Sequence, residues 1–373
     1  MNEMTESISL IRELCALFGP SGCEGEVADR IEQLVRPVCD SLVRDRMGNV
    51  LALIRTGDRQ AKNRLRVMLS AHMDEVGVMI TEICEDGLCR FDTVGGISSA
   101  VIEGRKVTLG DEINRLSGVV ASKAIHHKKK DERNQPTPIE KLFLDIGATG
   151  KEEAEHYLSV GSFGVFDSET YLFGENDSLI KAKALDDRMG CAALIEVMRS
   201  VFADRPAADL DLYFCFTVRE EIGLSGAKVA AEKIAPDFAI VLETTTAGDL
   251  PDTPHFRQVV RLGQGGALSL MDRSTVYDHG FFTTAMALAK KKAIPAQVKQ
   301  YVAGGNDAGS IHKTGIGVRC LALSVPTRYL HSPSCVASLA DYAAVRDLTE
   351  TLLRCCPLWT TNEEEERKSK ESL

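Results

Sequence analysis

No uninterrupted apolar stretch in this 373-residue sequence approaches the ~18 residues that span a bilayer, which excludes a helical membrane segment. The N-terminus, Met1-Asn-Glu-Met-Thr-Glu6, lacks the basic region of a secretory signal. No CxxC pair is present, and the 11 cysteines follow no framework spacing, so a cytoplasmic chain with reduced thiols is expected. Positive charge is in deficit: 44 Lys and Arg against 54 Asp and Glu leave a net charge of -10. That disfavours nucleic acid and anionic lipid, whose binding depends on neutralising phosphates. The one basic run, His126-His-Lys-Lys-Lys130, is followed by Asp131 and Glu132 and reads as an exposed loop. Gly263-Gln-Gly-Gly-Ala267 fits neither GxGxxG nor GxxxxGK[ST], so no nucleotide loop is read there. Aromatics are thin, with one Trp and 6% in all, which leaves little to stack against sugar rings.

What is there is an ordinary globular composition, 44% hydrophobic and 26% charged, long enough for a large core and two domains. Residues 6–18 and Val27–Val38 carry apolar positions at helical spacing, with Ser21 available to cap the second helix. Strands are predicted at 42–47, 48–54 and 64–69. Between about 75 and 170 the texture changes to short β-like runs separated by glycine turns, with Lys151–Tyr157 the one helical stretch. That pattern predicts a small inserted barrel or sandwich. Helix and strand then alternate again: a helix from Met189 to Arg199, an apolar strand at 212–218, a helix from Ala227, a strand at 238–243, a helix at 281–292, strands at 296–302 and 319–326, and helices near 338–354. Gly304–His312 reads as a flexible polar turn.

Chemistry-bearing residues gather where these elements end. The strand at 212–218 runs into Glu220 and Glu221; the strand before residue 70 delivers His72 and Asp74, two apart and able to project together; the strand at 238–243 ends in Glu243. Asp186 and Asp187 precede or open a helix, where a carboxylate is favoured by unpaired amides, so a capping role is open for one of them and Arg188 can pair with either. His331 follows the strand at 319–326. In an open α/β sheet, ligands collect at the carboxyl ends of the strands. Two imidazoles and three carboxylates, His72, Asp186, Glu221, Glu243 and His331, suit borderline divalent cations. Periodicity alone does not select these five from the chain's other acids and histidines.

The selection comes from a resemblance. Ser70-Ala-His-Met-Asp-Glu-Val-Gly77, Lys183-Ala-Leu-Asp-Asp-Arg188, Arg219-Glu-Glu-Ile-Gly-Leu-Ser-Gly-Ala227, Gly304-Gly-Asn-Asp-Ala308 and Tyr329-Leu-His-Ser-Pro333 occur in that order. Together they make the chain, from about residue 8 to 355, resemble the M42 metallo-aminopeptidases, the glutamyl aminopeptidase and TET-peptidase group. The resemblance implies a mixed-sheet, three-layer α/β/α zinc-exopeptidase domain of the phosphorylase/hydrolase-like kind, with an inserted PDZ-like β-barrel. It implies two divalent ions per subunit, zinc or cobalt, with manganese a further candidate. His72 and Glu243 would hold one, Glu221 and His331 the other, and Asp186 would bridge them. Asp74 would orient His72, and Glu220 would be the general base. Family members often carry Asp at the position of Glu243. The Asp186–Asp187 peptide is expected to be cis.

The expected division is 1–74 and 171–360 for the catalytic domain, 75–170 for the insert, with its role in oligomerisation and substrate access, and 361–373 for a charged, disordered tail. Partners would be short peptides and further copies of the chain, at least a dimer and up to a tetrahedral dodecamer, with no nucleic acid or membrane. First-residue preference in the family ranges over acidic, basic and large apolar residues. Three readings compete with peptide hydrolysis: an endoglucanase-type glycoside hydrolase, a non-catalytic scaffold of the same fold, and deacylation of a non-peptide amide.

Overall fold

The computed structural model of the chain describes residues 3–111, 113–130 and 133–356, so the expected tail at 361–373 lies outside the described residues. In chain order, α1 (Glu3–Ala16), α2 (Gly25–Val35), β1 (Ser41–Arg44), β2 (Val50–Arg55) and β3 (Leu65–His72) come first. A second group follows: β4 (Gly77–Ile83), β5 (Cys89–Val94), α3 (Ser99–Ile102), β6 (Lys106–Gly110), β7 (Arg115–Ala121), β8 (Phe143–Asp145), α4 (Lys151–Tyr157) and β9 (Phe163–Phe166). The chain then gives β10 (Tyr171–Phe173), β11 (Leu179–Ala182), α5 (Leu185–Ala203), β12 (Leu210–Thr217), α6 (Ser225–Ile234) and β13 (Phe238–Thr246). It ends with β14 (Gly266–Leu268), α7 (His279–Lys292), β15 (Ala296–Val298), α8 (Ala308–Ile311), β16 (Arg319–Arg328), β17 (Cys335–Ser338) and α9 (Leu339–Arg354).

Strands β1, β2, β12, β3, β13, β16, β17, β11 and β10 pair in that order into one mixed sheet, with β14 and β15 attached beside β16. The central run β12-β3-β13-β16 is parallel, so four carboxyl ends share one edge. The second group closes into an antiparallel barrel, β4-β5-β8-β7-β6-β9, around Val78, Ile80, Phe91, Leu109 and Leu144. A three-layer α/β/α body with an inserted barrel is thus present, as the sequence predicts. No described helix is long and apolar enough to cross a membrane.

The two-residue period of the strands sorts their side chains between the layers. Val67, Leu69, Leu212, Phe214, Phe216, Ile240, Leu242, Leu321 and Leu323 enter the core shared with α1, α2, α5, α7 and α9. The alternate residues Met68, Cys215, Ala239, Val241, Cys320 and Ala322 enter the smaller core under α6 and α8. The same parity carries His72, Glu243 and Ser324 to the α6 side at the carboxyl edge.

Four local expectations are corrected. Ser21 caps no helix; its hydroxyl donates to Asp74 Oδ2 at 2.5 Å, because α2 opens four residues later. The strand predicted over 296–302 stops at Val298, where pairing with β14 ends. Gly304–His312 is no free polar turn: Ala308–Ile311 is helical, and Asn306 and Asp307 are buried. Arg188 pairs with neither aspartate. It is fully buried, donates to the carbonyls of Met73 and Leu14 at 2.6 Å, and faces Glu75 at 3.5 Å. The short helix α3 and the strand β17 add to what periodicity indicated.

Candidate metal centre

The acidic loop after β12 is pinned by side chains rather than by regular structure. Asn49 Oδ1 accepts the Val218 amide at 3.0 Å and its Nδ2 donates to the Gly226 carbonyl at 3.0 Å, so one buried residue holds both ends. Glu24 Oε1 accepts the Arg219 amide at 3.1 Å. Asp74 accepts the next two, Glu220 N on Oδ1 at 3.0 Å and Glu221 N on Oδ2 at 3.1 Å. Four successive amides therefore have carbonyl or carboxylate partners supplied from elsewhere in the fold, which is how an irregular loop stays ordered in a buried setting. A Cβ on Gly226 would sit 2.2 Å from the Val218 carbonyl and 2.5 Å from Asn49 Oδ1, so only glycine fits behind the loop.

Both imidazoles have one nitrogen tied to a carbonyl. His72 Nδ1 donates to the Asp74 carbonyl at 3.1 Å, with Asp74 Oδ1 at 3.5 Å. His331 Nδ1 donates to the Gly96 carbonyl at 2.7 Å, so the segment after β5 reaches out of the barrel to fix it. With Nδ1 so tied, each Nε2 faces the acids, the arrangement of a metal-binding histidine with its orienting partner. His72 Nε2 lies 3.1 Å from Asp186 Oδ1 and 3.5 Å from Glu243 Oε1. His331 Nε2 lies 3.5 Å from Asp186 Oδ2 and 3.4 Å from Glu221 Oε1. Asp186 thus turns one oxygen to each imidazole. The Asp186–Asp187 peptide is cis. The structure brings together all seven predicted site residues, His72, Asp74, Asp186, Glu220, Glu221, Glu243 and His331.

The donor set fits cations better than it fits itself. Glu221 Oε1 and Asp187 Oδ2 are buried and accept no hydrogen bond. Donor atoms within 4.8 Å of one another form three groups: His72, Glu220 and Glu221; His72, Asp187 and Glu243; and Asp186, Glu221 and His331. Two of these centre on different imidazoles, so the chain carries a dinuclear metal-binding site of nitrogen and oxygen donors.

Electrostatics carry the same message. Burial, with Asp186 adding to it, raises the Glu221 carboxyl to about 7. Burial raises Glu243 to about 8, opposed by His72 and reinforced by Asp186. Burial pulls His331 down, yet Asp186 and Glu221 overcome it and lift the imidazole to about 9. Burial also raises Glu220 well above the ordinary carboxylate range. Asp74 resists its burial: His72, Ser21 and the Glu220 amide hold it low. Without a cation the cluster shares protons, and a cation must displace them. Affinity for zinc should therefore rise with pH between about 6 and 9, roughly tenfold per unit for each proton released. Calorimetric titration in buffers of different ionisation enthalpy reads that release directly, and pH-independent affinity would contradict the assignment.

Three contributors escape sequence reasoning. Asp187 is not only a cap, its Oδ1 accepting Gly190 N at 3.1 Å, but also lies in the donor group with His72 and Glu243. Its adjacency to Asp186 was the available signal. Glu24 and Ser21 act through partners far away in sequence, and nothing local marks them. A cavity of about 430 Å³ opens beside the cluster, walled by Thr244, Thr245, Thr246, Lys299, Gly304, Asn306, Ser324 and Leu330 as well as the acids.

The family model described as M42 glutamyl aminopeptidase matches residues 48–348. The TET aminopeptidase of a marine-sediment Thaumarchaeota archaeon superposes with a TM-score of 0.91 and 33% identity, covering 96% of this chain and 99% of that one. The TET1 peptidase of Pyrococcus horikoshii, which assembles into a tetrahedron or a large octahedral shell, superposes with a TM-score of 0.80 and 29% identity over 94% of this chain and 99% of its own. A Thermotoga maritima protein described as an endoglucanase gives 0.74 and 34%, covering 92% and 96%.

Proposed function

This chain belongs to the M42 glutamyl aminopeptidase family, and from that premise we propose that it releases N-terminal residues from short peptides at the dinuclear centre. The observation that carries the proposal is Asp186, whose two oxygens face two imidazoles. His72 and Glu243 would hold one cation, Glu221 and His331 the other, with Asp186 between them; zinc or cobalt suits the set, and manganese is admissible. Bound there, the cations supply Lewis-acid polarisation of a carbonyl and a water of lowered pKa. The remaining chemistry belongs to the chain. Glu220 takes the proton of the attacking water and returns it to the departing amine. Asp74 has two tasks: it fixes the His72 tautomer, and by accepting the Glu220 and Glu221 amides it sets the loop that aims the base. The acids around the cavity receive the protonated α-amine of the substrate, which restricts cleavage to the chain's first bond.

We assign residues 1–74 and 171–360 to the catalytic domain and 75–170 to the insert. The Gly96 contact makes the insert part of the site; a role in self-association is proposed for it as well. A homo-oligomer, from a dimer up to a tetrahedral dodecamer, follows from the likeness to the TET peptidases.

A glycoside hydrolase is the second reading, favoured by the endoglucanase description of one structural neighbour. It leaves both imidazoles idle, and the described cavity wall holds no aromatic residue for a sugar ring. A scaffold reading leaves an intact donor set without purpose. The test is metal-reconstituted protein on free and N-acetylated peptides and on cellulose-type substrates. Free peptides alone should be shortened, and a chelator should stop the reaction. Cleavage of the acetylated peptide or of the glucan would contradict the proposal.

A further inference from the structure

The two imidazoles of the centre are held in different ways. His72 ends β3, a central strand paired on both sides, and its side chain is 2% exposed. His331 lies on the turn between β16 and β17, and its side chain is 35% exposed. Packing therefore holds the first and leaves the second to hydrogen bonds. The turn also has a demanding backbone. Tyr329 and His331 both sit in the left-handed region, at φ 59° and 57°. Residues with a Cβ populate that region sparsely and keep it only where the surroundings over-determine the chain.

Part of that determination is internal. Ser332 Oγ donates to the Tyr329 carbonyl at 2.6 Å and accepts the Ser334 amide at 3.1 Å. These bonds shape the turn without fixing it to the rest of the molecule. Apart from the acids of the site, two hydrogen bonds join residues 329–334 to segments far away in sequence among the described residues, and both partners belong to the insert. His331 Nδ1 donates to the Gly96 carbonyl at 2.7 Å, beyond β5. Ser168, just after β9, donates its hydroxyl to the Pro333 carbonyl. Lys181 on β11 sets the direction of that second bond. Its buried ammonium donates to Ser168 Oγ and to the Glu169 carbonyl, the latter at 2.7 Å, and lies 5.3 Å from the centroid of the Tyr171 ring. An ammonium has hydrogens to give and no lone pair. Ser168 must therefore accept from it, which leaves the hydroxyl hydrogen for Pro333, two residues from His331.

We infer that Ser168 and Lys181 are positioning residues for the metal centre: through the Pro333 carbonyl they fix the turn that presents His331. The insert thereby sets the affinity of the cation assigned to Glu221 and His331, while the cation assigned to His72 and Glu243 depends on the catalytic body. The inference rests on that ligand assignment and deepens it, because it makes one of the two sites conditional on the insert.

The test titrates zinc into the metal-free full chain against a chromophoric chelator, so that each binding step is read without turnover. His331→Ala identifies the step that belongs to His331, since that step should be lost in it. Ser168→Ala and Lys181→Met should weaken the same step by about tenfold, the lower end of the range for losing an orienting partner, and leave the other within about twofold. Ser168→Thr, which keeps the hydroxyl, should restore it. In the His331→Ala background, Ser168→Ala should leave the remaining step within about twofold, since the path through His331 is already gone. Equal weakening of both steps in Ser168→Ala would overturn the inference, because a general loosening of the fold would account for it. So would wild-type steps in Ser168→Ala, or a Ser168→Thr protein no better than Ser168→Ala. A His331→Ala protein that keeps both steps instead removes the ligand assignment, and the inference falls with it; that failure is told apart by the variant in which it occurs.

Discussion

Glu220→Gln should keep both cations and lose about a thousandfold in kcat, at the middle of the range for a positioned general base. The substitution is nearly isosteric and leaves the backbone amide on Asp74 Oδ1 undisturbed, so the loop should hold its shape. What disappears is the carboxylate proposed to carry a proton from water to the leaving amine. Burial already holds this carboxyl well above the ordinary range, which suits a group that must gain and give up a proton near neutral pH. The measurement pairs steady-state kinetics with metal analysis of the same preparation. The pairing matters because Glu220 also falls within one donor group, with His72 and Glu221. A variant that loses turnover and a cation together would make Glu220 a ligand; one that retains turnover within tenfold would exclude it as the base.

Asp186→Asn should act earlier, on the cations themselves. The carboxylate divides between two imidazoles, 3.1 Å from His72 Nε2 and 3.5 Å from His331 Nε2. Asparagine keeps one oxygen and turns an NH2 group, a donor without a lone pair to offer, toward the other side. Burial raises Asp186, but the two imidazoles hold it below its ordinary value, so it stays ionised and a neutral group is a poor replacement. Metal content should fall to about half of wild type or less, and activity by more than the 10–100-fold typical of losing an orienting partner. Inductively coupled plasma analysis after dialysis reads the first, and kcat/KM the second. Wild-type metal content in this variant would remove the bridging role.

The division into an α/β body and a β insert was legible because it is written in local periods, whereas the three-layer order came from the motif resemblance. The apolar runs of β12 and β13 and the helical spacing in α4 needed no knowledge of distant residues. The same periods led correctly to a carboxyl edge bearing Glu220, Glu221 and Glu243. They could not say that Asp186, from a helix start, and His331, from a left-handed turn at φ 57°, close over that edge. The motif resemblance supplied that choice. Misreadings arose where one side chain had several possible partners. Ser21 had a helix start within reach but bonds Asp74, 53 residues away. Arg188 had two adjacent aspartates but spans to Met73, Leu14 and Glu75, because a buried guanidinium needs several acceptors and the end of α1 and the segment after β3 provide them.

The central claim is that two cations lie between His72 and His331 with Asp186 shared. Crystals of zinc-loaded protein, measured on both sides of the zinc absorption edge, test it most directly. The anomalous map should show two peaks per subunit about 3.5–4 Å apart, one beside His72 and Glu243, the other beside Glu221 and His331, both in contact with Asp186. A single peak, or a pair located away from Asp186 in protein that still shortens peptides, would contradict it.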